Sequence, residues 1–392
     1  MNAGSSSLKF ALFDLQGGDP NEAFFGQIEG LGGAATFTVR LPPGKGEPPF
    51  APRRTPSSTH LEALREVLDF IGRFGAGHEI AAVGHRIVHG GSEFSGPAVV
   101  DGGVLDALRV LRPLAPLHQP HNIAGIEAAK AVFPGALQVA CFDTAFHRTH
   151  DWVDDAFGLP PEYYDAGVRR YGFHGLAYEH VLGELEQIAP DVARGRVILA
   201  HLGNGASMCA VREGRSVSST MSFTPLDGLA MGTRCGQLDP GVVLYLLSER
   251  GMPVDAVSDL LHRGSGLKGM SGVSQDVREI EAAETPASRR AIDYFVHRAR
   301  HEIGALTAVL GGLDGLVFSG GIGEHAHRIR ARICENFEWL GLTLDPERNR
   351  RADLTVSADG SKVKAFIVAA NEELTIARQT HAILAATEVS RA

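Results

Sequence analysis

Short apolar runs alternate along this chain with longer stretches whose apolar positions recur at helical spacing. Val197, Ile198 and Leu199 form one such run and read as a buried strand. It passes into His201, Leu202, Gly203, Asn204 and Gly205, and strand character resumes from Met208 to Val211. The pattern predicts a β-hairpin with a Gly-Asn-Gly tip. Glycines on either side of an asparagine predict positive φ and exposed backbone N–H groups, a concavity that suits a phosphate. By itself the tip is equally an ordinary turn.

A similar pattern opens the chain. Asn2, Ala3 and Gly4 precede Ser5, Ser6 and Ser7, and Lys9 leads into a strand over Phe10 to Leu15. Asn204-Gly205-Ala206-Ser207 has the same order of residue types, which predicts a duplicated unit with one phosphate loop in each half. Leu41 to Ser58 is rich in Pro and Gly and reads as a loop. Thr59 and Glu62 form a capping box for a helix with Leu61, Leu64, Leu68 and Ile71 on one face, ended by Gly75 and Gly77.

Further strands follow from Ile80 to Val88, Leu137 to Phe142, Leu313 to Ser319 and Lys364 to Ala369. Helices are predicted over Ile123–Val132, His180–Ile188 and Ala287–Leu310, with another started by Asp239 and Pro240 and one at the C-terminus. This alternation makes the fold class α/β.

Length and composition narrow the function. At 392 residues the chain is long for one domain, and 44% hydrophobic residues can fill a sizeable core. The net charge of −9 and the lack of a basic stripe argue against nucleic-acid binding. No apolar run approaches a membrane span, and Cys141, Cys209, Cys235 and Cys334 form no C-x-x-C pair. A reducing cytoplasmic location is expected.

Several positions could carry chemistry. Arg86 closes a strand just before Gly90-Gly91 and could pair with a carboxylate or phosphate, although a surface arginine has the same signature. Asp143 ends a buried strand, where it serves equally as catalyst or as cap of the next turn. Arg234 lies among glycines that would let a ligand approach it. The pairs His85/His89, His118/His121 and His147/His150 lack a third ligand nearby and read as packing groups, as does His174 by default. Gly320 to His325 opens a helix after a strand, a place for a nucleotide phosphate or sugar. A Rossmann fingerprint is not present.

Taken together, NAGSSSLKF, HRIVHGG, LAPLH, FDTAFH, RRYGFHG, HLGNGAS, FTPLDGLAMGTR, the DVR at Asp276 to Arg278, GGIGE and NEE closely resemble the acetokinase family. They run from Asn2 to Glu373 in that family's order. The resemblance implies two ribonuclease-H-like, actin-like ATPase domains with a cleft between them: 1–147 plus 374–392 on the acetate side, and 148–373 on the nucleotide side with the dimer interface. It implies reversible phosphorylation of acetate by ATP to acetyl phosphate and ADP, a Mg²⁺ cofactor (or Mn²⁺ in its place) and a homodimer. Kinases for propionate or another short carboxylate, and a catalytically impaired nucleotide-binding relative, are the alternatives.

Carried over residue by residue, the resemblance gives each position a role. Asp143, His174 and Arg234 would be catalytic, and Arg86, Val88, Leu117, Phe173 and Pro225 would bind the acetate. Lys9, the tip His201, Leu202, Gly203, Asn204 and Gly205, then Asp276, Val277 and Arg278, and Gly321, Ile322, Gly323, Glu324 and His325 would bind the nucleotide. Asn2 and Glu372 would hold the metal.

Four departures stand out. The family usually has a few apolar residues before the first Asn, where this chain has Met1, which predicts either residues ahead of Met1 or a shortened hairpin arm. Leu176-Ala177-Tyr178 replaces the usual Thr-Ser-His, His325 stands where Asn is usual, and Cys235 replaces a common Ser.

Overall fold

The structure is a computed structural model that describes residues 1–3, 7–15, 18–42, 44, 46, 50–74, 79–116 and 118–391. Gly4 to Ser6, Gly75, Gly77 and Leu117 lie outside the described residues. The chain divides into two units, Met1–Phe146 with Asn371–Ala392, and His147–Ala370. The division places His147 in the second unit and Asn371, Glu372 and Glu373 in the first. The reason is local: the helix Glu372–Arg391 packs on strands of the first unit, and Glu372 is its first residue.

In the first unit, strands β1 (Asn2–Ala3), β2 (Ser7–Asp14), β3 (Asn21–Glu29), β4 (Thr36–Arg40) and β5 (Arg53–Arg54) form an antiparallel meander. A second sheet has the order β6 (Ala82–Ile87), β8 (Leu137–Phe142), β7 (Ala98–Val99), with β6 and β8 parallel. Met1 joins the two: its ammonium donates to the Gly84 carbonyl at 2.9 Å, and its carbonyl accepts from the Arg86 N–H at 2.9 Å. The first hairpin is present, with an arm of two residues, and pairs Asn2 with Lys9 and Ala3 with Leu8.

The core of this unit is aromatic. Phe10 is fully buried and meets Phe24, Phe37 and Phe70 with ring centroids 5.9–6.1 Å apart. Its ring lies across the opposing strand at Gly26, where a Cβ would stand 2.3 Å from Phe10 Cζ. The capping box forms as expected: the Thr59 N–H donates to Glu62 at 3.0 Å, and the Glu62 N–H donates to Thr59 Oγ1 at 3.3 Å. Leu64, Leu68 and Ile71 are buried against the sheet. Leu61, expected on the same face, is 45% exposed. It sits in the first turn, where only one side of the helix has reached the sheet.

In the second unit the sheet order is β11 (Arg215–Ser219), β10 (Ala206–Arg212), β9 (Arg196–Leu202), β12 (Gly315–Ser319), β13 (Lys364–Ile367). The first three are antiparallel; β9, β12 and β13 run parallel. Val197 to Ala200 are all fully buried, as a strand covered on both faces requires. The long helix Pro286–Leu310 packs on β9 and β10, and the helix Gly175–Ile188 packs on β9. Asp239 caps the helix Pro240–Ser248 by accepting from the Gly241 N–H at 2.7 Å. The first unit has the same order if β3-β2-β1 is continued through Met1 to β6-β8. Each unit is therefore a ribonuclease-H-like arrangement: a hairpin, a third antiparallel strand and two parallel strands.

Candidate functional site

In the first unit, two parallel neighbours end side by side. β6 delivers Arg86 and β8 delivers Asp143, and the Asp143 N–H continues the ladder by donating to the Ile87 carbonyl at 3.0 Å. The guanidinium grips the carboxylate with two nitrogens: Nε to Oδ1 at 2.9 Å and Nη2 to Oδ2 at 2.6 Å. Its third nitrogen, Nη1, donates to Asn2 Oδ1 at 3.0 Å. Asn2 in turn donates through Nδ2 to Glu372 Oε2 at 2.9 Å and to Glu373 Oε1 at 3.1 Å. Glu372 also stands 3.6 Å from Arg86 Nε. Both glutamates start a helix capped by Asn371, whose Oδ1 accepts from the Leu374 N–H at 3.0 Å. A helix N-terminus favours negative charge there.

Burial sets the electrostatics of this network. It pushes the Asp143 carboxyl up, to about 6, against the pull of Arg86 and with the help of Glu372. Burial alone would lower the Arg86 pKa, but Asp143 and then Glu372 outweigh it and raise the value. Arg86 is therefore a fixed cation among three carboxylates. His85, beside it, turns away and pairs through Nε2 with Gln138 Oε1 at 2.8 Å; burial drops its pKa to about 3, so it stays neutral. Lys9 pairs with Asn2 across the hairpin and shares its face. Val88 is buried just past β6, its N–H bonded to Asn122 Oδ1 at 3.1 Å.

In the second unit the hairpin tip is the meeting point. Leu202 pairs with Ala206, and the Gly203 N–H donates to the Gly205 carbonyl at 3.0 Å. Neither glycine has positive φ, contrary to the expectation from the Gly-Asn-Gly pattern. What the tip needs is the absence of side chains. A Cβ on Gly205 would stand 2.8 Å from Arg234 Nη2 and 3.3 Å from His174 Nε2. A Cβ on Gly203 would be 3.9 Å from the Gly321 N–H nitrogen, at the start of the helix Gly320–His325. Asn204 folds over Gly232, where a Cβ would also touch Gln275 at 3.2 Å, just before the Asp276–Arg278 segment. Two cationic or N–H-bearing side chains thus converge on bare backbone.

Other elements hold these groups in place. Arg234 donates from Nη1 to the Pro225 carbonyl at 2.6 Å. His174 has φ +60°, a left-handed conformation that is uncommon for a residue with a Cβ, and it caps the helix Gly175–Ile188. His201 faces Ser319 Oγ across the parallel pair at 3.2 Å. Phe173 is buried, and its carbonyl bonds His147 Nε2 at 2.9 Å. Asp276 caps its own helix and pairs with Arg278, which lowers its pKa. Glu324 accepts the Gly320 N–H at 2.9 Å, closing part of its own helix start, and His325 is exposed. Burial raises the Cys235 thiol, so it is not activated.

Comparison with known proteins fits this geometry. The profile of the acetokinase family matches residues 1–378. The chain belongs to that family. An acetate kinase from Methylocella silvestris is 51% identical over 393 residues, 98% of this chain and 97% of the relative. The crystal structure of Porphyromonas gingivalis acetate kinase superposes with a TM-score of 0.86 at 35% identity, covering 98% of each chain. A propionate kinase from Francisella tularensis superposes with a TM-score of 0.89 at 33% identity, covering 97% of this chain and 98% of that one.

Acetokinases use ATP and a divalent metal, and the acidic network is where the described carboxylates cluster. Among the described residues no three His, Cys, Asp or Glu side chains gather as a self-sufficient metal site. A hard cation that keeps its waters and leans on substrate phosphates needs only one or two carboxylates. Glu372, with Glu373 beside it, meets that need. Asn2 sits between them and Arg86. Arginine only donates and a carboxylate only accepts, so the amide must turn its oxygen to Arg86 and its NH₂ to the glutamates. Asn2 thus orders the carboxylates, and its amide oxygen, which accepts from Arg86, keeps a second lone pair that a cation could use.

Sequence reasoning missed Glu373, and it missed Ser207, which bonds His174 Nδ1, and Tyr178, which bonds Ser207. Ser207 lies inside the HLGNGAS motif, which was a usable signal; Tyr178 showed only as a departure from the family. The buried Arg86–Asp143 pair makes a direct prediction. Asp143→Ala removes the bidentate partner of a buried cation and is expected to cost about 3 kcal/mol in urea unfolding. A loss under about 1 kcal/mol would contradict the network as described.

Proposed function

We propose that this protein is an acetate kinase, transferring the γ-phosphoryl group of ATP to acetate and running in reverse from acetyl phosphate and ADP. The observation that carries this reading is the convergence of Arg234 Nη2 and His174 Nε2 on the bare backbone of Gly205. It is a place built for an anion with charge on several oxygens. In the transfer, a carboxylate oxygen of acetate forms the new bond to phosphorus, and the bond from phosphorus to the bridging oxygen of ADP breaks. The nucleophile is already an anion, so no proton has to be removed. Catalysis is then positioning and cancellation of charge.

The residue roles combine this chemistry with the family resemblance. Arg86 binds the acetate carboxylate as a cation whose charge burial does not remove. Asp143 fixes the plane of that guanidinium. Arg234 and His174 donate to the transferring phosphoryl oxygens. The family resemblance assigns Val88, Leu117, Phe173 and Pro225 to the acetate methyl group. Lys9 and His201 to Gly205, with Asp276 to Arg278 and Gly321 to His325, serve the nucleotide. Glu372 and Asn2 would hold Mg²⁺, which would supply neutralisation of phosphate charge. The first unit serves acetate and the second the nucleotide. Acetate is favoured over propionate by the family's acetate kinase members, and initial rates across acetate, propionate and butyrate separate the two.

A homodimer and a cytoplasmic setting complete the reading. The helix Pro240–Ser248 reads PGVVLYLLS yet buries none of its residues: Val242 is 40%, Tyr245 51% and Leu244 63% exposed. An apolar helix with no cover suits a self-association surface. All four cysteines are thiols, as a reducing compartment allows, and no helix among the described residues is long and apolar enough to cross a membrane.

Three measurements check the reading. Arg234→Ala should lose about 10³-fold or more in turnover, with Arg234→Lys recovering little because the planar fork is gone; near-normal kinetics in Arg234→Ala would refute the assignment. Glu372→Gln should raise the Mg²⁺ concentration for half-maximal rate by about 10–100-fold; an unchanged requirement places the metal elsewhere. Sedimentation should show a dimer that Leu244→Asp converts to monomer, and a monomeric wild type contradicts the proposed interface.

A further inference from the structure

The ring of His174 is held from behind by a two-residue chain that no motif reading supplied. Its Nδ1 lies 2.8 Å from Ser207 Oγ, and that hydroxyl is also hydrogen-bonded to the phenol of Tyr178. Ser207 is fully buried on β10, directly across the hairpin from His201. Tyr178 is fully buried and lies four residues beyond His174, one turn along the helix and on its face. The left-handed conformation of His174 turns Nδ1 towards this pair and leaves Nε2 beside Gly205 and Arg234.

Which nitrogen of a neutral imidazole carries the proton is decided by what the other nitrogen meets. A phenol is a stronger acid than an alkyl alcohol and the better donor of the two. Burial raises the Tyr178 pKa further, so the phenol keeps its proton. The hydroxyls then run in one direction: Tyr178 donates to Ser207, and Ser207 donates to Nδ1. Nδ1 is the acceptor and the ring proton sits on Nε2. The imidazole presents a donor at the same spot as the donor-only guanidinium of Arg234, and an anion accepts from both.

We propose that Tyr178 and Ser207 are positioning residues that lock His174 in the Nε2–H tautomer, making it a fixed hydrogen-bond donor at the Gly205 tip. As a role in catalysis this rests on the phosphoryl-transfer reading above; as a statement about the ring it does not. It also gives a physical use to a departure of this chain: tyrosine stands where the family usually has histidine, and a buried phenol offers a donor of fixed protonation where a histidine would itself titrate.

The test uses the full chain with ¹⁵N-labelled histidine and reads the His174 ring nitrogens directly, assigned by comparison with His174→Gln. The wild type should show a protonated Nε2 and an acceptor Nδ1. Tyr178→Phe keeps the ring volume and removes the hydroxyl, and it should move the signals towards a mixture of tautomers. In kinetics, the same variant should lose about tenfold in kcat, with KM for acetate and ATP within twofold. Tyr178→His, which restores a side chain able to donate, should recover part of the loss. Ser207→Ala is the second variant should Tyr178→Phe fold poorly. A wild-type proton on Nδ1, or a tautomer unchanged in both variants, overturns the proposal. If the tautomer shifts as expected but the wild type transfers no phosphoryl group to acetate, the reading of the reaction fails and the positioning role stands.

Discussion

Everything proposed for the second unit depends on how closely backbone and hydrogen-bond-donating side chains approach at Gly205. A Cβ there would stand 2.8 Å from Arg234 Nη2 and 3.3 Å from His174 Nε2, so both side chains would have to move from where they sit. That constraint explains the surroundings. Arg234 must come from a loop rich in small residues, and it is anchored at its far side by the Pro225 carbonyl. His174 must adopt a left-handed backbone to aim its ring, and it is steadied by Ser207 and Tyr178. The hairpin is therefore a floor on which donors are assembled, and its own amides are only part of the anion site.

The first unit solves a different problem with the same strand order. Its charged groups lie at the carboxyl ends of parallel strands, and burial would discharge them if they stood alone. Arg86 avoids this through Asp143 and Glu372, and Asn2 ties the pair to the start of the C-terminal helix. The closing helix of the chain thereby supports the first strand, through contacts 370 and 371 residues apart in sequence. Such a network favours a single geometry, because each charged member is held by partners that only this arrangement brings together.

Much of this was legible before any coordinates. The strands carrying Arg86, Asp143 and the HLGNG tip are apolar runs with chemistry at their ends, and periodicity finds those. The strands β3 and β4 were missed because Gly26 and the threonines interrupt their pattern, while Leu61 was misplaced because spacing does not say where a helix first meets its sheet. The glycines of the tip were read as a positive-φ turn that they do not make, since sequence does not distinguish a positive φ from a missing side chain. The roles of Asn2, Ser207 and Tyr178 depend on partners brought together only by the fold, and no local pattern encodes them. Leu117 lies outside the described residues, so its place in the methyl site rests on resemblance alone.

The most direct test of the account is ³¹P NMR of the purified protein with ATP, Mg²⁺ and acetate. An acetyl phosphate resonance should grow in step with ADP, vanish when acetate is left out, and in the reverse mixture give way to ATP. ATP that stays intact, or ADP that accumulates with inorganic phosphate and no acetyl phosphate, would contradict transfer to the carboxylate.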